Sequence, residues 1–307
     1  MKVLDIFCGV GGLAQGFVKS GFDVIGIDIS EPAGKTFELN NRSKFVKADL
    51  SRELIEGNYD VVVGGPPCKP WSSINVTRRG KSHSDYKLLS RFFKHVEHHI
   101  PEIFLLENVP PLQHDPTYRR FIRRLRKKNY SIAIKKINYN DYGAPTRRHR
   151  LITVGIRNGN ADVFFNRLSE LERKPRTVRD VMWALRRKEM GKVPDHVWPR
   201  LKTILKYRKY YESGKYGWYI LKWNEAAPSF GNVMKTYILH PDAFDGGALR
   251  VISVKEALLI MGFDQKFSFP KDIGMGLKYQ MIADSVSPAF SSAAAKTMKE
   301  ILSNGGS

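Results

Sequence analysis

Short apolar runs broken by turn residues alternate with helical spacing over the first half of the chain. Val3-Leu4-Asp5-Ile6-Phe7 is such a run. It gives way to Cys8-Gly9-Val10-Gly11-Gly12, after which Leu13, Phe17 and Val18 recur at helical spacing. Phe22 to Asp28 reads as a second strand and Lys44 to Lys47 as a third. Asp60 to Val63 is a fourth, stopped abruptly by Gly64-Gly65-Pro66-Pro67. A helix from Tyr86 to His99 leads into a fifth strand, Glu102 to Glu107. Thr117 to Lys128 spaces as a basic helix, and Ser131 to Asn138 and Leu151 to Ile156 are two more strands. Strands alternating with helices predict an α/β fold with a doubly wound, mostly parallel sheet. Ligands on such sheets bind beyond the carboxyl ends of the strands.

The alternation stops near Lys174. Arg186 to Lys222 is basic and rich in aromatics, among them Trp198, Tyr207, Tyr210, Tyr211, Tyr216, Trp218 and Tyr219. Ordinary patterning resumes around Arg250, with amphipathic helices over Val254 to Met261 and Ser287 to Leu302. The pattern predicts one domain built from residues 1–173 and 254–307, with a smaller domain, 174–253, inserted between them. No internal repeat or low-complexity tract interrupts it.

Composition narrows the class. At 307 residues, 42% hydrophobic and 26% charged, the chain has the makings of a substantial core, which excludes global disorder. No stretch approaches the roughly 20 uninterrupted apolar residues a bilayer needs, so no membrane span is expected. The N-terminus runs straight into a strand without a long apolar segment or cleavage site, so no signal peptide is expected. Two cysteines, Cys8 and Cys68, do not make a disulfide framework and fit a reducing cytosol. The net charge of +21 is unevenly spread. Arg119 to Arg150 holds 12 basic residues against one acid, and Arg157 to Lys222 holds 17 against seven, while the remainder balances at 22 each. Clustering of this kind points to a surface that faces a polyanion, with nucleic acid the favoured partner over a generally basic surface.

Two places carry candidate chemistry. A strand entering Gly9-x-Gly11-Gly12 and then a helix allows backbone to approach a ligand closely. Asp28 ends the next strand, where an acid accepts hydrogen bonds from ribose hydroxyls, and Asp49 follows the third strand, within reach of an adenine amino group. The full G-x-G-x-x-G is lacking, so a dinucleotide is not favoured. A tight structural turn explains the glycines alone, but with both carboxylates the pattern points to an adenosine-containing cofactor. The second place is Gly64-Gly65-Pro66-Pro67-Cys68-Lys69-Pro70-Trp71-Ser72. Paired prolines hold the chain extended and present Cys68 at the sheet edge, with the neighbouring Lys69 expected to favour its thiolate. Glu107-Asn108-Val109-Pro110 ends the fifth strand, so a carboxyl group projects from the same rim.

These segments together resemble DNA (cytosine-5) methyltransferases of the restriction–modification type, nearly end to end. Asp5-Ile6-Phe7-Cys8-Gly9-Val10-Gly11-Gly12 is similar to their cofactor motif, Pro66-Pro67-Cys68 to their nucleophile motif, and Glu107-Asn108-Val109 to their Glu-Asn-Val. Thr146-Arg147-Arg148-His149-Arg150 resembles their Gln-x-Arg-x-Arg. Tyr279 through Val286 resembles the late cofactor motif, whose helix packs back beside the first strand.

The resemblance implies a Rossmann-like, S-adenosylmethionine-dependent methyltransferase fold, with residues 174–253 as a target-recognition domain that grips phosphates and reads base edges. It implies that Cys68 attacks carbon 6 of a flipped cytosine, that Glu107 binds and protonates ring nitrogen 3, and that Arg148 and Arg150 hold the base oxygen and orient Glu107. For the cofactor it implies Phe7, Gly9, Val10, Gly11, Asp28, Ile29, Asp49, Leu50, Pro67, Leu89, Ser285 and Val286, with Phe7 and Ile29 about the adenine. The loop Ser72 to Ser84, carrying Arg78, Arg79, Lys81 and His83, is expected to close over DNA, with Ser72, Arg78, Arg79 and Lys81 as DNA contacts. No metal site is expected. The implied partners are double-stranded DNA and a cognate restriction endonuclease that shares the site without a stable complex. The implied protein is a cytoplasmic, nucleoid-associated monomer, bacterial or archaeal.

The chain departs from the family pattern at Lys69 and Trp71, usually glutamine and phenylalanine, at Thr146, usually glutamine, and at Ala283-Asp284, usually Gly-Asn. Two other readings remain at this point: a tRNA cytosine-5 methyltransferase, which in that branch carries threonine where Ser72 stands, and a catalytically silent DNA-binding regulator. Intact Cys68, Glu107, Arg148 and Arg150 argue against the second.

Overall fold

In a computed structural model, residues 1–72, 80–186, 200–215, 217–243 and 249–304 are described. The chain opens as the alternation requires: β1 (Lys2–Ile6), α1 (Ala14–Lys19), β2 (Asp23–Asp28), α2 (Glu31–Asn41), β3 (Lys44–Lys47) and β4 (Val61–Gly64). Then come α3 (Tyr86–His99), β5 (Ile103–Asn108), α4 (Pro116–Arg126), β6 (Tyr130–Asn138), a two-residue β7 (Thr146–Arg147), β8 (His149–Arg157) and α5 (Asp162–Ser169). Apart from β7, which the pattern does not show, the strand ends fall within two residues of those read from the pattern.

Seven strands form one sheet in the order β3-β2-β1-β4-β5-β8-β6. The first five pair in parallel, while β8 runs antiparallel to both β5 and β6. Strand side chains alternate between the two faces, and the core divides accordingly. Val3, Val61, Val63, Ile103 and Leu105 pack on one side with Phe17, Phe164 and Phe290. Leu4, Ile6, Val62, Phe104 and Leu106 pack on the other with Phe92, Phe93 and Leu125. Helices cover both faces, which is why β4 and β5 are buried along their whole length and read as unbroken apolar runs.

The strand order switches between β1 and β4: β2 and β3 lie to one side of β1, β4 and β5 to the other. The connections leaving the carboxyl ends of β1 and β4 therefore part and leave a crevice, the position at which such sheets bind ligands. The glycine turn leaves β1 there, and the Pro-Pro-Cys segment leaves β4.

The second half adds α6 (Arg179–Met182), α7 (Leu201–Lys206), α8 (Arg208–Ser213), β9 (Tyr219–Ile220), β10 (Ala227–Pro228) and β11 (Ile238–Leu239). The chain returns through α9 (Val254–Ile260), α10 (Met275–Asp284) and α11 (Pro288–Ser303). Met182, Ile204, Tyr211, Trp218, Phe230 and Val251 join the same apolar cluster as α1 and α11, and β10 pairs with β7. The junction into α9 is fixed by a capping box between Ser253 and Glu256, whose carboxylate also takes two bonds from buried Arg250 at 2.8 and 2.7 Å. No helix among the described residues is long and apolar enough to cross a membrane.

Candidate active site

The exit from β1 is a strained, tightly bonded turn. Phe7 adopts the left-handed region at φ +61°, and the Gly11 N–H donates to the Cys8 carbonyl at 2.9 Å. Gly11 itself stands at φ +83°, where a β-carbon would also run into Phe37 and Asn41. At Gly12 a β-carbon would collide with the carbonyl oxygen of Val286, so the absence of a side chain there lets the Ser285–Val286 segment lie against the turn. Asp28, at the end of β2, accepts the Gly9 N–H at 3.0 Å and the Ser30 N–H at 2.9 Å. Burial raises its pKa, and those backbone donors work in the other direction. Asp5 is buried nearby; burial, then the Asp28 charge, pushes it well above the carboxylate range, with the Ala14 backbone N–H acting the other way. Asp49 accepts the Ser51 N–H at 2.9 Å and stands 3.5 Å from Arg52; the Ser51 bonds hold it below its ordinary value. Ile29 is 62% exposed despite being aliphatic.

The exit from β4 is tied to that of β5. Asn108 donates to the Pro66 carbonyl at 2.9 Å while its own oxygen accepts the Val109 N–H at 2.9 Å. Half-buried Cys68 ends the extended segment, and its carbonyl accepts N–H bonds from Trp71 and Ser72, each at 3.0 Å. Burial pushes the Cys68 thiol up; Arg150 and Arg148 pull it down, and Glu107 and Asp284 oppose them. Whatever Lys69 contributes, the net shift of the thiol is upward, and Arg150 and Arg148, which lower it, stand at the strand two positions across the sheet. Cys8, the other cysteine, is buried among Asp5 and Asp28, and burial raises it well above the ordinary thiol value.

Glu107 is buried at the end of β5. Its Oε1 is ion-paired with the Arg150 Nε at 2.8 Å and accepts the Tyr139 hydroxyl at 2.9 Å. Arg148 turns elsewhere. It donates to the Ala283 carbonyl, and at 3.4 Å to the Ser229 hydroxyl and the Phe230 carbonyl. Of the two arginines, Arg150 is the one paired with Glu107 here, while Arg148 bonds to Ser229 and Phe230 and to Ala283 of α10. Burial lowers Arg148 to about 10, which leaves it charged near neutrality.

All three strand exits face one cavity of about 1220 Å³. A C-5 cytosine-specific DNA methylase model matches residues 1–300. The chain belongs to that family. It is similar to the Type II methylase M.HgiDII of Herpetosiphon aurantiacus, 26% identical over 98% of this chain and 95% of the relative. It is likewise similar to the Type II methyltransferase M.MthTI of Methanothermobacter thermautotrophicus, 28% identical over 98% of each. Among solved structures, the S. pombe Dnmt2 methyltransferase shares the fold with a TM-score of 0.74, at 18% identity over 99% of both chains. The Entamoeba histolytica methyltransferase EhMeth does so with 0.74, at 19% identity over 98% of both.

In this methylase the cavity is lined by Cys68, Glu107, Arg148 and Arg150 together with Phe7, Gly9, Val10, Asp28, Ile29, Asp49, Leu50, Pro67, Ser285, Val286 and Ser72. Two expected cofactor residues lie elsewhere. Gly11 is behind the wall, where its conformation and the nearby Phe37 ring require glycine. Leu89 is fully buried in the core; one residue earlier, Leu88 lines the cavity with Lys87. Lys81 is exposed in a short turn, Gly80–Ser82, and is not among the lining residues, while Arg78 and Arg79 lie outside the described residues, as do Trp198 and Tyr216.

The departures from the family pattern find local partners. Trp71 donates its indole N–H to Asp115 at 3.0 Å, and Asp284 accepts the Gln280 amide at 2.9 Å while also lining the cavity. Thr146 is buried. Sequence reasoning missed Tyr139, Asp5 and Asp115. Only the last has a local signal, an Asp-Pro pair before a helix.

Proposed function

We propose that this methylase transfers a methyl group from S-adenosylmethionine to carbon 5 of a cytosine flipped out of duplex DNA, within a short recognition sequence. The observation that carries the reading is the convergence in one cavity of a thiol, a carboxyl group held by an arginine, and two carboxylates at adjacent strand ends. The residues present suit the cofactor. Exposed Ile29 and half-buried Phe7 offer apolar surface for an adenine, Asp28 and Asp49 offer acceptors for ribose hydroxyls and the adenine amino group, and the Gly9 α-carbon faces open space.

Carbon 5 of cytosine is a poor nucleophile. The Cys68 thiolate bonds to ring carbon 6, and the electrons of the carbon 5–6 double bond become available at carbon 5. Glu107 hydrogen-bonds and protonates ring nitrogen 3, which draws that attack in. S-adenosylmethionine, when bound, supplies the methyl group that carbon 5 takes up. Loss of the carbon 5 proton then restores the double bond and expels Cys68. Inside the duplex the target atom is stacked between neighbouring base pairs, out of reach of Cys68, so the base must swing out of the helix into the cavity.

Residues 174–253 are proposed to read the sequence, and Ser72 with the loop that follows it, Lys81 included, to contact the DNA. The basic excess of the chain supports a polyanionic substrate. The biological role proposed is protection of host DNA from an endonuclease of the same specificity, by a monomer in the nucleoid of a bacterium or archaeon. Nucleoside mass spectrometry tests the reading: the protein and S-adenosylmethionine are incubated with unmethylated duplex DNA and, in parallel, unmodified tRNA. 5-Methylcytosine in the DNA alone is the expected result. Its appearance only in tRNA overturns the substrate, and its absence from both overturns the activity.

A further inference from the structure

The reaction proposed above asks Glu107 to meet ring nitrogen 3 with one oxygen at a fixed place. A carboxylate side chain turns easily about its last torsion, whose energy profile is broad and roughly twofold. One donor on one oxygen leaves that torsion loosely held. In this chain two groups converge on the same oxygen from different elements: the Arg150 guanidinium from β8, ion-paired through Nε at 2.8 Å, and the Tyr139 hydroxyl, which donates from the end of the β6 hairpin arm at 2.9 Å. Oε2 takes no hydrogen bond among the described residues. It lies against Gly65, where a β-carbon would stand 3.2 Å away. Glu107 and Gly65 both line the cavity.

Tyr139 is built to stay in place. It is fully buried, and its ring lies nearly flat against Phe290 of α11, with centroids 5.7 Å apart and planes at 23°. Its backbone N–H donates to the Arg148 carbonyl at 3.1 Å, so the tyrosine shares a frame with the strand that carries both arginines. Burial pushes the phenol well above its ordinary value, so it remains a hydrogen-bond donor wherever the protein is folded. Being neutral, it restrains the carboxylate without adding a further charge beside Arg150.

We propose that Tyr139 is a positioning residue for methyl transfer: with Arg150 it pins Oε1 of Glu107, so that Oε2 is presented to the flipped base. This rests on the methyltransferase reading. A purely packing role for the ring makes a different demand, since phenylalanine would then serve equally well.

The full-length Tyr139→Phe variant separates the two. Its steady-state methylation of unmethylated duplex DNA is compared with wild type, with kcat expressed per DNA-binding-competent site counted by titration, so that unfolded protein is not scored. A hydrogen bond to a charged group is worth enough to change a rate by about ten- to a hundredfold. The expected result is a kcat lower by about that factor, with KM for DNA and for S-adenosylmethionine within about twofold of wild type. A kcat within twofold of wild type overturns the proposal, as does a rise in KM at unchanged kcat. If wild type itself deposits no 5-methylcytosine, the methyltransferase reading falls and this proposal with it. An active wild type beside an equally active phenylalanine variant sinks this proposal alone.

Discussion

Asp115 gathers both ends of the segment that follows the nucleophile loop. Trp71, just before that segment, donates its indole N–H to Oδ2 at 3.0 Å, and Tyr86, just after it, donates its hydroxyl to the same oxygen at 2.9 Å. Oδ1 accepts the Thr117 and Tyr118 N–H groups at 2.8 and 3.0 Å and so caps α4. In Asp115→Ala the lost cap costs about 1 kcal/mol. Trp71 is buried, so its stranded indole N–H and the lost bond to a charged acceptor cost about 1.5–3 kcal/mol. Tyr86 keeps a second partner, the Thr117 hydroxyl at 2.9 Å, and loses roughly 0.5–1 kcal/mol. The expected loss is about 3–5 kcal/mol in urea unfolding followed by circular dichroism. Asp115→Asn keeps one acceptor oxygen for the cap, and its cost is expected at about half that of alanine. Because Trp71 and Tyr86 flank the loop proposed to contact DNA, the alanine variant is also expected to raise KM for DNA more than it lowers kcat. A loss under about 1 kcal/mol, or an asparagine variant as damaged as the alanine one, refutes the reasoning.

Asp284 opposes the thiolate of Cys68, so Asp284→Asn is expected to shift the rising limb of the pH–rate profile to lower pH. At saturating S-adenosylmethionine it should speed methylation on the acid side of that limb; an unmoved profile contradicts this. His95 is held neutral, with Nδ1 on the Arg91 carbonyl at 2.8 Å and Nε2 accepting the Ile55 N–H at 3.3 Å, and burial lowers it to about 4. The unfolded chain takes up this proton near pH 6.5 and the folded protein only near pH 4. Stability is therefore expected to fall by about 2 kcal/mol as pH drops through that window, and the slope should flatten in His95→Gln. On α1, a β-carbon at Gly16 would strike the backbone of Ser291 in α11. Gly16→Ala is expected to cost more than about 2 kcal/mol in the same unfolding assay, and a neutral effect would show that the two helices part freely.

Most of the sheet was legible because β1, β4 and β5 are apolar runs that end at glycine or proline turns, and the strand ends carry the chemistry. Cys68, Glu107, Asp28 and Asp49 are found this way. What failed did so for reasons of geometry. Leu89, Phe92, Phe93 and Val96 recur at i, i+3, i+4 and i+7, the buried stripe of α3, so helical phase itself places Leu89 inside and Leu88 toward the cavity. Family likeness alone pointed the other way. Tyr139 meets Glu107 across 32 positions, and Arg148 meets Ala283 across 135; neither separation leaves a local pattern. The strands of the inserted segment are two residues long, and Ala227 pairs with Thr146, so their identity lies in distant partners rather than in a run of side chains. Arg150, Arg148, Glu107 and Asp284 act on the Cys68 sulfur from far along the chain, which no local pattern shows.

The central claim is that Cys68 forms a covalent bond to carbon 6 of cytosine. Fluorine in place of the carbon 5 hydrogen cannot leave as a proton does, so a duplex library of random sequence substituted with 5-fluorocytosine should stop the reaction at that adduct. With S-adenosylmethionine present, the expected result is a protein–DNA species that survives denaturing electrophoresis, with the DNA attached to the tryptic peptide containing Cys68 and absent from Cys68→Ser. A stable species mapped to Cys8, or none at all under conditions where ordinary DNA gains 5-methylcytosine, would contradict the account.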